Sequence, residues 1–321
     1  MNKYSWLQQK LHQLALSSQF MREASFDLEK SFSKTFEEYD NHIFIAGLAR
    51  SGTTILLNAI YKSHEFSSLT YRDMPFVMSP NFWSKFSRNK KSNEFSERAH
   101  GDGIKVSMDS PEAFEEVFWM TFDKEEDDCA NKFELYVRLI NQKYQKKRYL
   151  SKNNQNIKRI EFITKVFPNA KILIPFRDPL QHANSLLTQH KRFIEISKED
   201  KFISKYMKWI GHTEFGSHYK PIYANDINFT DNLDINHWIE QWYLTYKNNF
   251  KSHYNNSNVH FVSYENLCRV EHCWVDLIRI LDIKENYNFS FKESKKEISS
   301  KFNQDIFTKA HSLYSELLKS S

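Results

Sequence analysis

The stretch GLARSGTT at residues 47–54 holds two glycines five residues apart, an arginine between them and three hydroxyl side chains. These residue types suit an anion. Gly47 and Gly52 let backbone N–H groups come close to a phosphate, and the helix that follows adds its dipole. Arg50 adds a fixed charge, and Ser51, Thr53 and Thr54 add hydroxyl donors. A loop for nucleoside triphosphates carries lysine where Thr53 stands, to reach the outer phosphates, then Ser or Thr for magnesium. Without that lysine the loop is a poor triphosphate–magnesium site. By itself the pattern also fits a glycine turn with a surface arginine.

A second cluster begins at Arg177, directly after the apolar run KILIPF (171–176). An arginine ending a strand sits at the carboxyl edge of a sheet, where ligands bind in open α/β folds. Asp178 suits a helix N-cap and Pro179 the first helical position. On that helix residues 178, 181 or 182, and 185 share a face. Arg177 and Ser185 could therefore grip one phosphate from two sides. An Arg–Asp surface turn followed by a helix serine is an equal reading of these residues alone.

Each cluster needs a strand before it and a helix after it. HIFIA (42–46) reads as a short strand, and TTILLNAIYK (53–62) as a helix turning Ile55, Leu56, Ala59 and Ile60 inward. Residues 157–167 read as a helix, 171–176 as a buried strand, and the chain after Asp178 as a helix. A third strand, VHFVSYE (259–265), feeds a helix over 273–283. This alternation predicts an α/β fold, a phosphate-loop-type central parallel sheet flanked by helices on both faces. Residues 1–40 read as N-terminal helices and 286–321 as a C-terminal helical segment. Residues 63–150 and 193–255 lack the alternation and read as aromatic-rich, largely helical insertions in a core spanning 42–285.

Composition narrows the class. Hydrophobic residues form 40% and aromatics 16% of 321 residues, which marks a globular chain. Six glycines and seven prolines leave no linker or repeat, so one domain over 1–321 is expected. The net charge of +5 suits anionic ligands without requiring nucleic acid. Cys268 and Cys273 flank His272, but no second pair completes a tetrahedral set, so no metal is expected. No apolar run approaches the ~18 residues of a membrane span, and the N-terminus lacks a signal-peptide core. A soluble cytoplasmic protein is expected, with Trp6, Leu7, Leu11, Leu14 and Leu16 packing an N-terminal helix against the domain. Composition is silent on the oligomeric state.

Together, GLARSGTT and FPNAKILIPFRDPLQHANS resemble the sulfotransferases that use 3′-phosphoadenosine 5′-phosphosulfate (PAPS). In that family the glycine loop, with R-S-G-T-T or K-S-G-T-T, binds the 5′-phosphosulfate, and R-D-P-x-x-x-x-x-S binds the 3′-phosphate. Both occur here in order, 127 residues apart (177 minus 50), each after an apolar strand. VHFVSYENL resembles the family's later strand ending in Tyr-Glu. The likeness spans 42–285 and is nearer the protein-tyrosine and Golgi-type carbohydrate branch, as found in bacteria, than the small-phenol branch. It implies that Gly47, Arg50, Ser51, Gly52, Thr53, Thr54, Arg177 and Ser185 bind PAPS. It also explains the missing lysine, because PAPS has no outer phosphates to bridge and the transfer uses no metal.

The resemblance implies catalytic roles as well. Arg50 and Lys152, in RYLSKNN (148–154), would stabilise charge on the leaving phosphate. The related branch usually has proline after that lysine, where Asn153 stands here. A general base must take the acceptor's proton. The branch has glutamate some twenty residues after the loop arginine, and Asp73 lies 23 residues after Arg50. Arg72 beside it could orient donor or acceptor. Glu65, His100 and Asp102 are the rivals, the last between the glycines of HGDGI (100–104). Residues 206–222 lie where the family places a lid, and their aromatics could stack on adenine or a sugar or pack in the core. Trp238 and Trp242, four residues apart, read as core. The implied activity is sulfuryl transfer from PAPS to a hydroxyl of a glycan or other small acceptor. The alternatives are a phosphate-loop kinase and a non-catalytic nucleotide or glycan binder.

Overall fold

The computed structural model describes residues 4–320 apart from 38, 88–95, 98–104, 123, 124, 126, 285, 286, 294, 296 and 299, with the backbone only at 96, 97 and 105. His100, Asp102 and the rest of HGDGI (100–104) therefore lie outside the described residues.

Five parallel strands form the sheet: β1 (Ile43–Ile45), β2 (Phe66–Ser67), β3 (Arg148–Lys152), β4 (Lys171–Phe176) and β5 (Val259–Ser263), in the order β2-β3-β1-β4-β5. The register pairs Ile45 with both Lys152 and Leu173, and Phe176 with Ser263. Because all strands run one way, their carboxyl ends share one edge. The chain after β1, β3, β4 and β5 therefore converges there.

Strand side chains alternate between two faces. Phe44, Ala46, Tyr149, Ile172, Ile174 and Phe176 enter one core. That core is closed by helices α1 (Trp6–Leu16), α2 (Gln19–Lys30), α4 (Cys129–Tyr144), α5 (Pro179–Glu199), α6 (Ile235–His253) and α9 (Gln304–Ser320). Ile43, Ile45, Leu150, Leu173 and Val262 enter the other core, with α3 (Thr53–Tyr61), α7 (Tyr264–Arg269) and α8 (Glu271–Ile280). Trp238 and Trp242 are fully buried in the first core. The sheet with helices on both faces is the α/β architecture expected from the alternation.

Several elements differ from the sequence reading. The helix expected at 157–167 divides into a 3-10 turn (Asn154–Lys158) and a helix (Ile160–Val166). β5 ends at Ser263, so Tyr264 and Glu265 open α7 instead of closing the strand. In the C-terminal segment the helix begins only at Gln304. β3 lies where helical insertion was expected, because RYLSK carries charge at both ends. Its five residues are nonetheless buried. Arg148 is tolerated there because its guanidinium donates to the carbonyls of Asn41 (3.0 Å), Asp282 (2.9 Å) and Leu281 (2.7 Å), and a buried charge is costly unless so bonded.

His42 joins β1 to β3. Its Nδ1 accepts the Tyr149 backbone N–H at 3.0 Å, and its ring meets Phe167 edge-on. Burial, with the Arg148 cation nearby, pushes its pKa down to about 3. An unfolded histidine titrates at ~6.5, so between these values the unfolded chain takes a proton that the folded ring refuses. Stability should be full above pH ~6.5 and fall as pH drops toward 3, at up to ~1.4 kcal/mol per pH unit from this one residue. His42→Asn keeps an acceptor for Tyr149 and should flatten the pH dependence of urea unfolding between pH 6 and 4. An unchanged slope would contradict this account.

Candidate active site

Directly after β1, Ala46 N donates to Leu173 O at 2.9 Å, and the chain then turns through residues 47–52 into α3. Gly47, Arg50 and Gly52 have φ of 135°, 70° and 100°. Two of these left-handed positions are glycine. A methyl on Gly52 would collide with the Tyr264 ring, which lies against it. Arg50 adopts the conformation despite its side chain, which costs on the order of 1 kcal/mol. Its neighbours hold it there. Arg177 Nη1 donates to Arg50 O at 3.2 Å, and Arg50 Nε donates to Ser185 Oγ at 3.2 Å. His182 Nε2 donates to Ala49 O at 2.7 Å, and burial drives the pKa of that ring down to about 3, so it remains neutral.

Gly52 is the N-cap of α3 and supplies no side-chain cap. The first N–H groups of a helix have no partner within the helix itself. Gly52, Thr53, Thr54 and Ile55 line a cleft of about 300 Å³. Arg50, Lys152, Arg177 and Lys292 bring four cations to the same cleft. Lys152 is the last residue of β3, beside β1, and is mostly buried. Arg177 follows β4. Its guanidinium lies over the Tyr264 ring at 5.5 Å and 3.9 Å from Glu265, whose Oε1 also accepts Asp178 N–H at 3.0 Å. Burial pushes the Glu265 carboxyl up from its ordinary value. Asp178 caps α5 by accepting Gln181 N–H at 2.9 Å. An uncapped helix start surrounded by cations at the sheet's carboxyl edge is chemically an anion site.

The expected residues fall into groups. Arg50, Gly52, Thr53, Thr54, Lys152 and Arg177 line the cleft. Ser185 reaches it through Arg50. Ser51 is fully buried and donates back to Leu48 O at 2.8 Å, so it closes the loop instead of facing an anion. Gly47 packs near Pro175 O and shapes the loop.

Asp73 is not brought to the cleft. It is fully buried and accepts from Thr70 N (2.7 Å), Tyr144 OH (2.7 Å) and the Lys143 ammonium. Thr70 and Asp73 form a reciprocal cap on a short 3-10 turn. The spacing Thr-x-x-Asp was the sequence signal for this structural role. Arg72 pairs with Asp109 at 2.6 Å. Glu65 accepts Lys284 N–H at 2.7 Å beside Arg148, in a groove at the other edge of the sheet.

Acidic residues that the sequence reading did not single out line the cleft instead: Glu112, Glu116 and Glu214. Glu116 is held by Arg159 (2.7 and 2.9 Å) and Asn153 (2.7 Å). Glu214 accepts from Asn154 at 3.0 Å and lies 3.6 Å from His212. Glu112 faces Lys152 at 3.7 Å. From 206–222, Ile210, Gly211, His212, Glu214 and Phe215 form a cleft wall, whereas Tyr206 and Met207 pack in the core. Gly211 and Gly216, the two glycines of this segment, are both at positive φ. Among the described residues the three cysteines are free and no cluster of His, Cys, Asp or Glu is placed to hold a metal ion. No helix among them is long and apolar enough to cross a membrane.

Fold and site together define an α/β protein with a cationic cleft at the carboxyl edge of its sheet. The chain belongs to the sulfotransferase family, whose sequence profile matches residues 42–279. By sequence alone, no protein of curated function matches it. Among solved structures it is similar to sulfotransferase STF1 from Mycobacterium tuberculosis, with TM-score 0.48 and 11% identity over 87% of this chain and 78% of that one. It is also similar to sulfotransferase STF9 from Mycobacterium avium (0.45, 12%, 95% and 75%). A sulfotransferase from Alicyclobacillus acidocaldarius matches at 0.41 and 14%, over 87% and 93%.

Two stability predictions follow from this geometry. Gly52→Ala should destabilise by ~2 kcal/mol or more, from positive φ and the collision with Tyr264. Adding Tyr264→Ala should then cost less than the sum of the two single changes; strict additivity would show that the ring is no obstacle. Asp73→Asn strips the counter-charge from a buried ammonium and should cost ~3–5 kcal/mol in urea unfolding. A loss below ~1 kcal/mol would show that the Lys143 pair is not held as described.

Proposed function

We propose that this protein transfers a sulfuryl group from PAPS to a hydroxyl of a small-molecule or glycan acceptor without using a metal. The observation that carries this reading is the direct contact between the two donor motifs. Arg50 of the glycine loop bonds Ser185, and Arg177 bonds the carbonyl of Arg50.

In this reading the N–H groups at the start of α3, with Arg50, Thr53 and Thr54, hold the 5′-phosphosulfate. Arg177 and Ser185 take the 3′-phosphate, the group that separates PAPS from ATP. Lys152, at the end of the neighbouring strand, stands where charge develops on the leaving phosphate. Positioning and preset charge then supply most of the catalysis, as in phosphoryl transfer. Thr53 stands where a kinase loop carries lysine, which fits a donor without β- and γ-phosphates.

Thermal unfolding with 3′-phosphoadenosine 5′-phosphate (PAP), AMP or ATP–Mg²⁺ tests the donor. A ligand at ~100 times its Kd adds about 2.7 kcal/mol. PAP should therefore raise Tm most, and Arg177→Ala should erase its advantage over AMP. Equal shifts with PAP and AMP in the unmodified protein would refute the donor assignment.

A further inference from the structure

We infer that Glu112 is the general base that takes the acceptor's proton, an inference that rests on the transfer reading above. The segment that withdraws Asp73 also delivers Glu112. Thr70 bridges Pro111 in antiparallel fashion, and Glu112 N donates to Leu69 O at 3.0 Å. The capped turn that buries Asp73 thus lies against the chain at 111–112, and the next carboxylate along that chain enters the cleft.

Glu112 is held in one orientation. Tyr71 OH donates to its Oε2 at 3.1 Å and Ala113 N–H to its Oε1 at 3.0 Å. Tyr71 is itself fixed edge-on against Phe114. A base held by neighbours in this way does not have to be ordered at the moment of reaction. The other two cleft glutamates are placed differently. Glu116 is clamped by the Arg159 fork, and Glu214 faces Asn154 and His212.

The position relative to Lys152 matches the chemistry. In an in-line displacement the attacking and leaving oxygens lie on opposite sides of sulfur. The cation serving one oxygen and the carboxylate serving the other must then both reach the reacting group from the wall of one cleft, as Lys152 and Glu112 do. Lys152 Nζ and Glu112 Oε1 are 3.7 Å apart. As the acceptor oxygen bonds to sulfur, its proton passes to Glu112. The bond from sulfur to the bridging oxygen breaks, and its electron pair stays on the phosphate of PAP beside Lys152. Glu112 later returns the proton to water. His212 also lines the cleft, with its pKa lowered chiefly by burial, and is the competing base.

Radiolabelled PAPS tests this, with water, phenol or glucose as acceptor, for the unmodified protein, Glu112→Gln and His212→Asn. PAP stabilisation is measured in parallel. Glu112→Gln keeps the acceptor for Tyr71 and should bind PAP as before, while transfer falls about 10²–10⁴-fold. Glu112→Asp should recover part of the rate. Glu112→Gln turning over within about threefold of the unmodified protein, or His212→Asn showing the large loss in its place, would overturn the assignment. An unmodified protein stabilised by PAP yet releasing no label to any acceptor would overturn it as well. One that PAP does not stabilise would instead bring down the donor reading beneath it.

Discussion

The bonds around Arg50 set the geometry of the rest of the site. Its carbonyl is held by Arg177 and its guanidinium by Ser185, while His182 secures the carbonyl one residue before. These contacts join two segments 127 residues apart. They also hold a non-glycine residue in a left-handed conformation that it would not adopt unaided. Without them the glycine loop would be a flexible turn and Arg177 a surface cation. With them, one strand end presents charge to the other.

The parallel sheet makes such a contact possible. Strands running one way place every strand-to-helix turn on one edge, so loop, Lys152, Arg177 and Tyr264 arrive together although the chain separates them widely. The two cores on opposite faces keep that edge rigid. Polar residues inside the frame are accepted where they are fully bonded: Arg148 on three carbonyls, and Asp73 among Thr70, Lys143 and Tyr144. Such groups serve architecture, whereas the acidic residues of the cleft wall stand opposite the cations that would meet an anion.

Asp73 and Glu112 show how a carboxylate's role depends on its bonding. By distance along the chain, Asp73 was the natural base. The structure spends its oxygens on a turn cap and a buried ammonium. Glu112, which no spacing pointed to, lies in the cleft beside Lys152. An acid surrounded by donors of its own turn has little left to offer a substrate. One held by a phenol and a backbone N–H at a cleft wall can receive a proton.

The local patterns determined by themselves the strands at 43–45 and 171–176, the glycine turn, the helix capped by Asp178 and the cationic residues of both clusters. Each depends on neighbours a few residues away: apolar runs, a cap, a glycine at positive φ. Tertiary structure decided what depends on distant partners. RYLSK became a buried strand because carbonyls from residues 41, 281 and 282 receive Arg148. Ser51 turned inward, Ser185 found Arg50, and the acids that reached the cleft were Glu112, Glu116 and Glu214. Burial and orientation of a polar side chain are set by whatever packs against it, and along the chain that partner can be a hundred residues away.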